Sequence, residues 1–230
     1  MHGFLVLNGG EAFTAPAKSL DSGWLRLIRR VHARPRVVVI PAADVSGNQR
    51  EAERVARYFS NLGTFAEATQ INSRQAAEMR QETEVLDQVA GLVLIDGSAL
   101  DMVERLKGTK TEAALHRAIE ERTAVVMASG AGAMGVGAVF WLGGVWEQGL
   151  GLAPQLAVIP HHSLVQMRLS PDRLLADLPE GVTVLGIDDL TYVTWKPDNT
   201  YDVSGKGEVT VYRSVEQQDV YRDGATFSLS

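Results

Sequence analysis

Val125-Val126-Met127-Ala128-Ser129-Gly130-Ala131-Gly132-Ala133-Met134-Gly135, or VVMASGAGAMG, carries two competing readings in its last eight residues. Gly130 to Gly135 has the G-x-G-x-x-G spacing of a dinucleotide-binding turn, whose glycines bring backbone N–H groups against a pyrophosphate. Shifted by two residues, Ala128 to Gly132 has the outline of G-x-S-x-G, a strand-to-helix turn that exposes a nucleophile, with glycine where serine would stand. The dinucleotide reading requires the turn to open the first helix of a βαβ unit, and an acid to end the next strand about 20 residues on. Here the run follows the fourth candidate strand, and the downstream GVGAVFWLGGVWEQGLGL offers no Val/Ile-rich strand ending in Asp or Glu. A dinucleotide site at Gly130 to Gly135 is therefore the lesser alternative, and no cofactor is expected. A nucleophile elbow forces its central residue to positive φ and admits only small residues two positions to either side. Centred on Gly130 those flanks are Ala128 and Gly132; centred on Ser129 they become Met127 and Ala131, and Met127 is large. The register puts Gly130 at the elbow.

Short apolar runs recur along the chain at Phe4–Leu7, Val37–Ile40, Leu92–Ile95, Ala124–Met127, Leu156–Ile159 and Val182–Ile187. Runs this continuous fit strands buried on both faces. Between them lie helical patterns. Ala52, Val55, Ala56, Phe59 and Leu62 have helical spacing, with Asn48 and Glu51 as a start signal and Gly63 as a stop. A second helix is expected over much of Ser73 to Val89. Ser98 with Asp101 three later caps a third through Leu106, and Thr111 opens a fourth carrying Leu115, Ala118 and Ile119. Strands alternating with helices predict a parallel sheet covered on both faces. The end of the chain differs: Thr191–Lys196, Thr200–Val203 and Glu208–Arg213 alternate between turn signals and predict an antiparallel meander at one sheet edge.

With 230 residues, 45% hydrophobic and 22% charged, the chain is expected to form a single domain over residues 1–230. A net charge of −6 with no long Lys/Arg block argues against nucleic acid. The absence of cysteine excludes a disulfide framework, thiolate metal sites and a Cys nucleophile. Ala124 to Val145 lacks ionisable residues over a membrane-spanning length, but its six glycines make a poor isolated helix, so no membrane partner is expected. The N-terminus lacks a secretory pattern, which gives a cytoplasmic expectation.

Four motifs in order resemble the cyanophycinase and dipeptidase E group, the S51 peptidases. Leu5-Val6-Leu7-Asn8-Gly9-Gly10-Glu11 resembles the family's opening strand into Gly-Gly-Glu, and Ala128-Ser129-Gly130-Ala131-Gly132-Ala133 its Gly-Thr-Ser-Ala-Gly-Ala elbow. Gly149-Leu150-Gly151-Leu152, a strand and His161 resemble the segment that supplies the general base, and Gly186-Ile187-Asp188-Asp189 resembles Gly-Ile-Asp-Glu, whose last acid orients that histidine. The resemblance implies a three-layer, doubly wound α/β fold with a mostly parallel sheet, of the class I glutamine amidotransferase-like or flavodoxin-like kind. It also implies a degenerate nucleophile position at Gly130, base and acid at His161 and Asp189, and an oxyanion or ligand pocket at Gly97, Ser98 and Ala131. The family's Gly-Gly-Asp-Gln turn has become Asp96-Gly97-Ser98-Ala99, and the Asp-Gln before the histidine has become Ile159-Pro160.

Acyl transfer needs a hydroxyl, an imidazole to deprotonate it, an acid to hold the imidazole and N–H groups for the oxyanion. Gly130 supplies no hydroxyl. The leading expectation is a non-hydrolytic homologue with a binding role for a small peptide or amide, a homodimer being allowed for. The alternative is an active hydrolase in which Ser129 is a displaced nucleophile working with His161 and Asp189. His161 and His162, adjacent on extended chain, point to opposite faces and do not suit one metal ion, so no metal is expected.

Overall fold

In the computed structural model, which describes residues 2–46, 49–121 and 123–229, the apolar runs become strands whose alternate residues enter two different cores. The first half of the chain runs β1 (Phe4–Asn8), α1 (Lys18–Val31), β2 (Arg36–Ile40), α2 (Arg50–Asn61), β3 (Phe65–Ala68), α3 (Arg74–Glu78), α4 (Arg80–Glu84), β4 (Gly91–Leu94), α5 (Ala99–Leu106), α6 (Lys110–Glu120), β5 (Val125–Ser129) and α7 (Ala131–Gly135). The second half runs β6 (Val139–Leu142), β7 (Val145–Gln148), β8 (Leu156–Ile159), α8 (His162–Gln166), α9 (Pro171–Leu175), β9 (Thr183–Ile187), β10 (Thr191–Trp195), β11 (Tyr201–Gly205), β12 (Val209–Tyr212), β13 (Gln218–Tyr221) and β14 (Thr226–Phe227).

Eight strands form the main sheet in the order β14-β11-β10-β1-β5-β4-β2-β3, with β1, β5, β4, β2 and β3 parallel and the β10, β11, β14 edge antiparallel. Val6, Val37, Val39, Val125 and Met127 pack under α1 and α2 with Trp24, Ile28, Val55 and Phe59. Leu5, Leu7, Val38, Ile40, Val126 and Ala128 face the other way, against Met102, Leu106, Leu115 and Ile119 of α5 and α6. This alternation explains why the strands read as unbroken apolar runs: both faces are covered.

Several elements depart from the sequence expectation. The segment Ser73 to Val89 is two short helices and a single turn of 3₁₀ helix, because Met79 is extended (φ −71°, ψ 123°) where a single helix would need it helical. The helix expected to open at Thr111 opens two residues earlier: Thr109 Oγ1 accepts the Glu112 N–H, while Thr111 is buried and donates to the Ala77 carbonyl. The start signal at Asn48 lies outside the described residues. Strand β3 and the β6–β7 hairpin are additional to the expected strands: β3 and β7 have four residues each and none buried, and β6 buries only Val139 and Phe140.

The larger correction concerns the meander. Only its first two strands, β10 and β11, extend the main sheet; β12 crosses to a second, four-stranded sheet in the order β13-β12-β9-β8, which also takes the runs at Leu156–Ile159 and Val182–Ile187. Val209 and Val211 are buried with Leu185 and Ile187, so this sheet closes the core on its own side. Among the described residues no helix is long and apolar enough to cross a membrane.

One buried carboxylate ties α1 to α2 and to β10. Asp21 on α1 accepts the Tyr58 hydroxyl from α2 at 2.7 Å, the Tyr192 hydroxyl from β10 at 2.7 Å and the Phe13 N–H at 3.1 Å. Burial raises its pKa above the ordinary 3.8, and the three hydrogen bonds oppose that rise without cancelling it. A carboxyl whose folded pKa is raised contributes stability that is fully present below the unfolded value and lost as pH climbs through the folded one. Relative to Asp21→Asn, the wild-type protein is therefore expected to lose stability progressively as pH rises above the ordinary carboxylate value of 3.8. Urea midpoints of both proteins below and above that value check this; a constant difference contradicts it.

Candidate functional site

The C-terminal ends of β1, β4, β5, β8 and β9 converge, which is where open α/β sheets build their clefts. The β1 end supplies Gly9 and Gly10, and their carbonyls receive the N–H groups of His161 (2.7 Å) and Leu190 (3.1 Å), pinning the β8 and β9 exits to the main sheet. His161 follows β8 in a left-handed conformation (φ 50°, ψ 38°), a strained backbone of the kind that clusters at functional sites. Its Nδ1 hydrogen-bonds Asp189 Oδ1 at 2.6 Å, which fixes the ring and leaves Nε2 facing the cleft. Gly10 makes this pairing possible. Its φ is +145°, and a Cβ there would overlap Asp189 Oδ1 and the His161 ring.

Gly130 sits between β5 and α7 with φ 53° and ψ −120°. Ala131 follows it into the helix. Beside them, at the end of β4, lies Asp96. Its Oδ1 accepts the Gly97 N–H and the Ala131 N–H, both at 2.7 Å, and its Oδ2 lies 4.0 Å from His161 Nε2. A Cβ added to Gly130 would fall on the Asp96 carboxylate, well inside contact distance of Cγ and both oxygens. The carboxylate thus occupies the space a side chain at the elbow would need, and holds the two backbone donors that flank it. Charge-assisted hydrogen bonds of this length are among the stronger ones available to a partly exposed group.

Of the residues singled out from sequence, Gly97, Gly130, Ala131, His161 and Asp189 come together around this carboxylate. Two others do not join them. Ser98 uses its Oγ to cap α5, accepting the Asp101 N–H at 3.1 Å. Ser129 is 2% exposed, and its Oγ donates to Asn8 Oδ1 at 2.9 Å. Asn8 also accepts the Gly10 N–H on the same oxygen, so one buried amide links the β5 end to the Gly9-Gly10 turn.

His161 and His162 do not lie on extended chain as expected: His161 is left-handed and His162 is the first residue of α8, and their rings have different partners. His162 is buried, with Nε2 2.7 Å from the Tyr212 hydroxyl, and burial holds its pKa below the ordinary value. Asp188 is likewise structural, accepting N–H groups from Ser163 and Glu208. Sequence reasoning named Asp96 only as a departure from a glycine turn and overlooked Asn8. The one available signal was an acid at a strand end immediately before glycine. The glycine run itself has a packing cause: a Cβ on Gly132 would press on the Leu94 and Ile95 carbonyl oxygens, and one on Gly135 on Met102.

The model of peptidase family S51 matches residues 4–199, most of the chain. The chain belongs to peptidase family S51. No curated protein sequence matches it. Among solved structures, a peptidase from an acI-B1 Actinobacterium superposes with a TM-score of 0.84 at 18% identity, covering 100% of this chain and 98% of that one. A candidate peptidase E protein from Listeria monocytogenes EGD-e superposes with a TM-score of 0.61 at 13% identity, covering 89% and 99%. At these identities the likeness is one of fold.

Gly10→Ala tests the cradle of the His161–Asp189 pair. Strain at this φ and the overlap with the pair are expected to cost of order 1–3 kcal/mol and to break the 2.6 Å hydrogen bond. Loss of the downfield His161 Nδ1 proton resonance, with a lowered denaturant midpoint, is the expected result. An intact resonance at an unchanged midpoint contradicts it.

Proposed function

We propose that this S51 family member does not carry out serine peptidase chemistry, and that its cleft serves to bind a small peptide or amide. What carries the reading is the Asp96 carboxylate in the space beside Gly130, bonded to the Gly97 and Ala131 N–H groups. In acyl transfer those donors must be free to receive the developing oxyanion, and the elbow residue must offer a nucleophile. Here an internal anion already satisfies the donors, and Gly130 carries no hydroxyl.

Ser129 is a poor substitute on the same grounds. Its hydroxyl is buried and committed to Asn8, whereas a nucleophile must lie within hydrogen-bond reach of its base. His161 and Asp189 keep the pairing of base and orienting acid, so a peptide amide entering the cleft meets one imidazole nitrogen and a carboxylate rim.

A serine-directed fluorophosphonate is the test. The wild-type protein is expected to remain unlabelled and to hydrolyse aspartyl dipeptides at background. Gly130→Ser alone is also expected to remain unlabelled, and to lose about 1–3 kcal/mol of stability, because the serine enters a strained φ and must displace Asp96. The double variant Gly130→Ser with Asp96→Gly frees the donors and the space, and is expected to label. Labelling of wild-type protein that disappears in Ser129→Ala overturns the reading.

A further inference from the structure

The same carboxylate that blocks serine chemistry has the surroundings of a nucleophile. Asp96 Oδ1 is held by two backbone N–H groups, while among the described residues Oδ2 accepts no hydrogen bond. Facing Oδ2 at 4.0 Å is His161 Nε2, too far for a direct hydrogen bond and therefore available to a third atom lying between them. Asp189 holds the other ring nitrogen. A carboxylate, a pair of oxyanion donors around one of its oxygens, and an oriented imidazole beside the other make up the parts needed to form and then hydrolyse an ester on the enzyme.

We propose that Asp96 is a covalent nucleophile toward strained cyclic ethers, opening an epoxide to a diol. This rests on the preceding reading only in that Asp96, and not a serine, occupies the elbow. The electrophile follows from leaving-group chemistry. A carboxylate added to an amide carbonyl would be expelled before the amine, so peptide bonds are not its substrate. Displacement of a halide or phosphate from an sp³ carbon needs cationic groups to receive the departing anion, whereas His161 beside Asp96 is already flanked by a second carboxylate, Asp189. An epoxide oxygen needs instead a proton at the moment its C–O bond breaks, and Nε2 is positioned to deliver it.

The cycle balances with no added reagent other than water. Oδ2 attacks a ring carbon, the ring C–O bond breaks, and its oxygen takes the proton from the imidazolium form of His161, leaving a hydroxyalkyl ester on Asp96. Neutral His161 then takes a proton from water, and the hydroxide adds to Cγ. The oxyanion so formed on Oδ1 lies against the Gly97 and Ala131 N–H groups. Its collapse breaks the Cγ–Oδ2 bond, and the new carboxyl proton passes to the departing alkoxide. The diol leaves, the imidazolium is restored, and Asp96 retains one oxygen from water.

That last atom is the test. Wild-type protein in excess over glycidyl nitrophenyl ether or styrene oxide, in oxygen-18 water, is expected to yield diol and to gain oxygen-18 in the peptide containing Asp96. In Asp96→Asn both are expected to vanish. In acid-quenched wild-type protein the ester is expected as an intact-mass adduct on Asp96, and in His161→Asn adduct and diol are both expected to fall to the Asp96→Asn level, because the ring oxygen loses its proton donor and the ester its water-activating base. Oxygen-18 in the diol with none in Asp96 overturns the proposal, as does the absence from wild-type protein of both adduct and diol above the Asp96→Asn level with both ethers. Its failure is separable from failure of the preceding reading, which turns on fluorophosphonate labelling of Ser129.

Discussion

Two backbone N–H groups, on Gly97 and Ala131, converge on one point where β4 and β5 end, and the cleft is organised by what they hold. Donors so placed cannot be left unsatisfied without cost, and in this chain the Asp96 carboxylate satisfies both. That choice has a consequence one residue away. Gly130 must remain without a side chain, because any Cβ there would collide with the carboxylate. Glycine at the elbow and aspartate at the end of β4 are two halves of a single arrangement, and neither makes sense alone. A serine in place of Gly130 would need the space; a glycine in place of Asp96 would leave the donors to water.

The His161–Asp189 pair is anchored differently, through the backbone. His161 N–H to the Gly9 carbonyl, and Leu190 N–H to the Gly10 carbonyl, clamp the exits of β8 and β9 against the end of β1. Because the two sheets are separate, these contacts are what bring an imidazole from one to a carboxylate from the other. Asn8 reinforces the clamp by holding the Gly10 N–H and the Ser129 hydroxyl together on one oxygen.

How much of this the sequence disclosed depends on whether a feature is local. Four of the five parallel strands of the main sheet, β1, β2, β4 and β5, were legible because double burial writes itself as unbroken Val, Ile and Leu, whereas the half-exposed edge strand β3 was not; the elbow register was legible because Met127 and Ala128 differ in size at a position that demands a small residue. The cap at Ser98 was legible from its spacing to Asp101. The second sheet was not, since nothing in the alternation of Glu208–Arg213 says which neighbour that strand will choose. The start expected at Thr111 was displaced to Thr109, because Thr111 is buried and its hydroxyl is committed to the Ala77 carbonyl. Most of all, the role of Asp96 was hidden. It arises from 35 residues of separation in sequence between a carboxylate and the amide that binds it, and no short-range pattern encodes that contact.

Amide proton resonances of Gly97 and Ala131, followed by NMR while Asp96 is titrated, test this arrangement most directly. Both are expected to move downfield together in a single transition as the carboxylate ionises, and neither is expected to show that transition in Asp96→Asn. Resonances that stay still in the wild-type protein, or a transition that survives in Asp96→Asn, would mean that the carboxylate does not occupy the space beside Gly130.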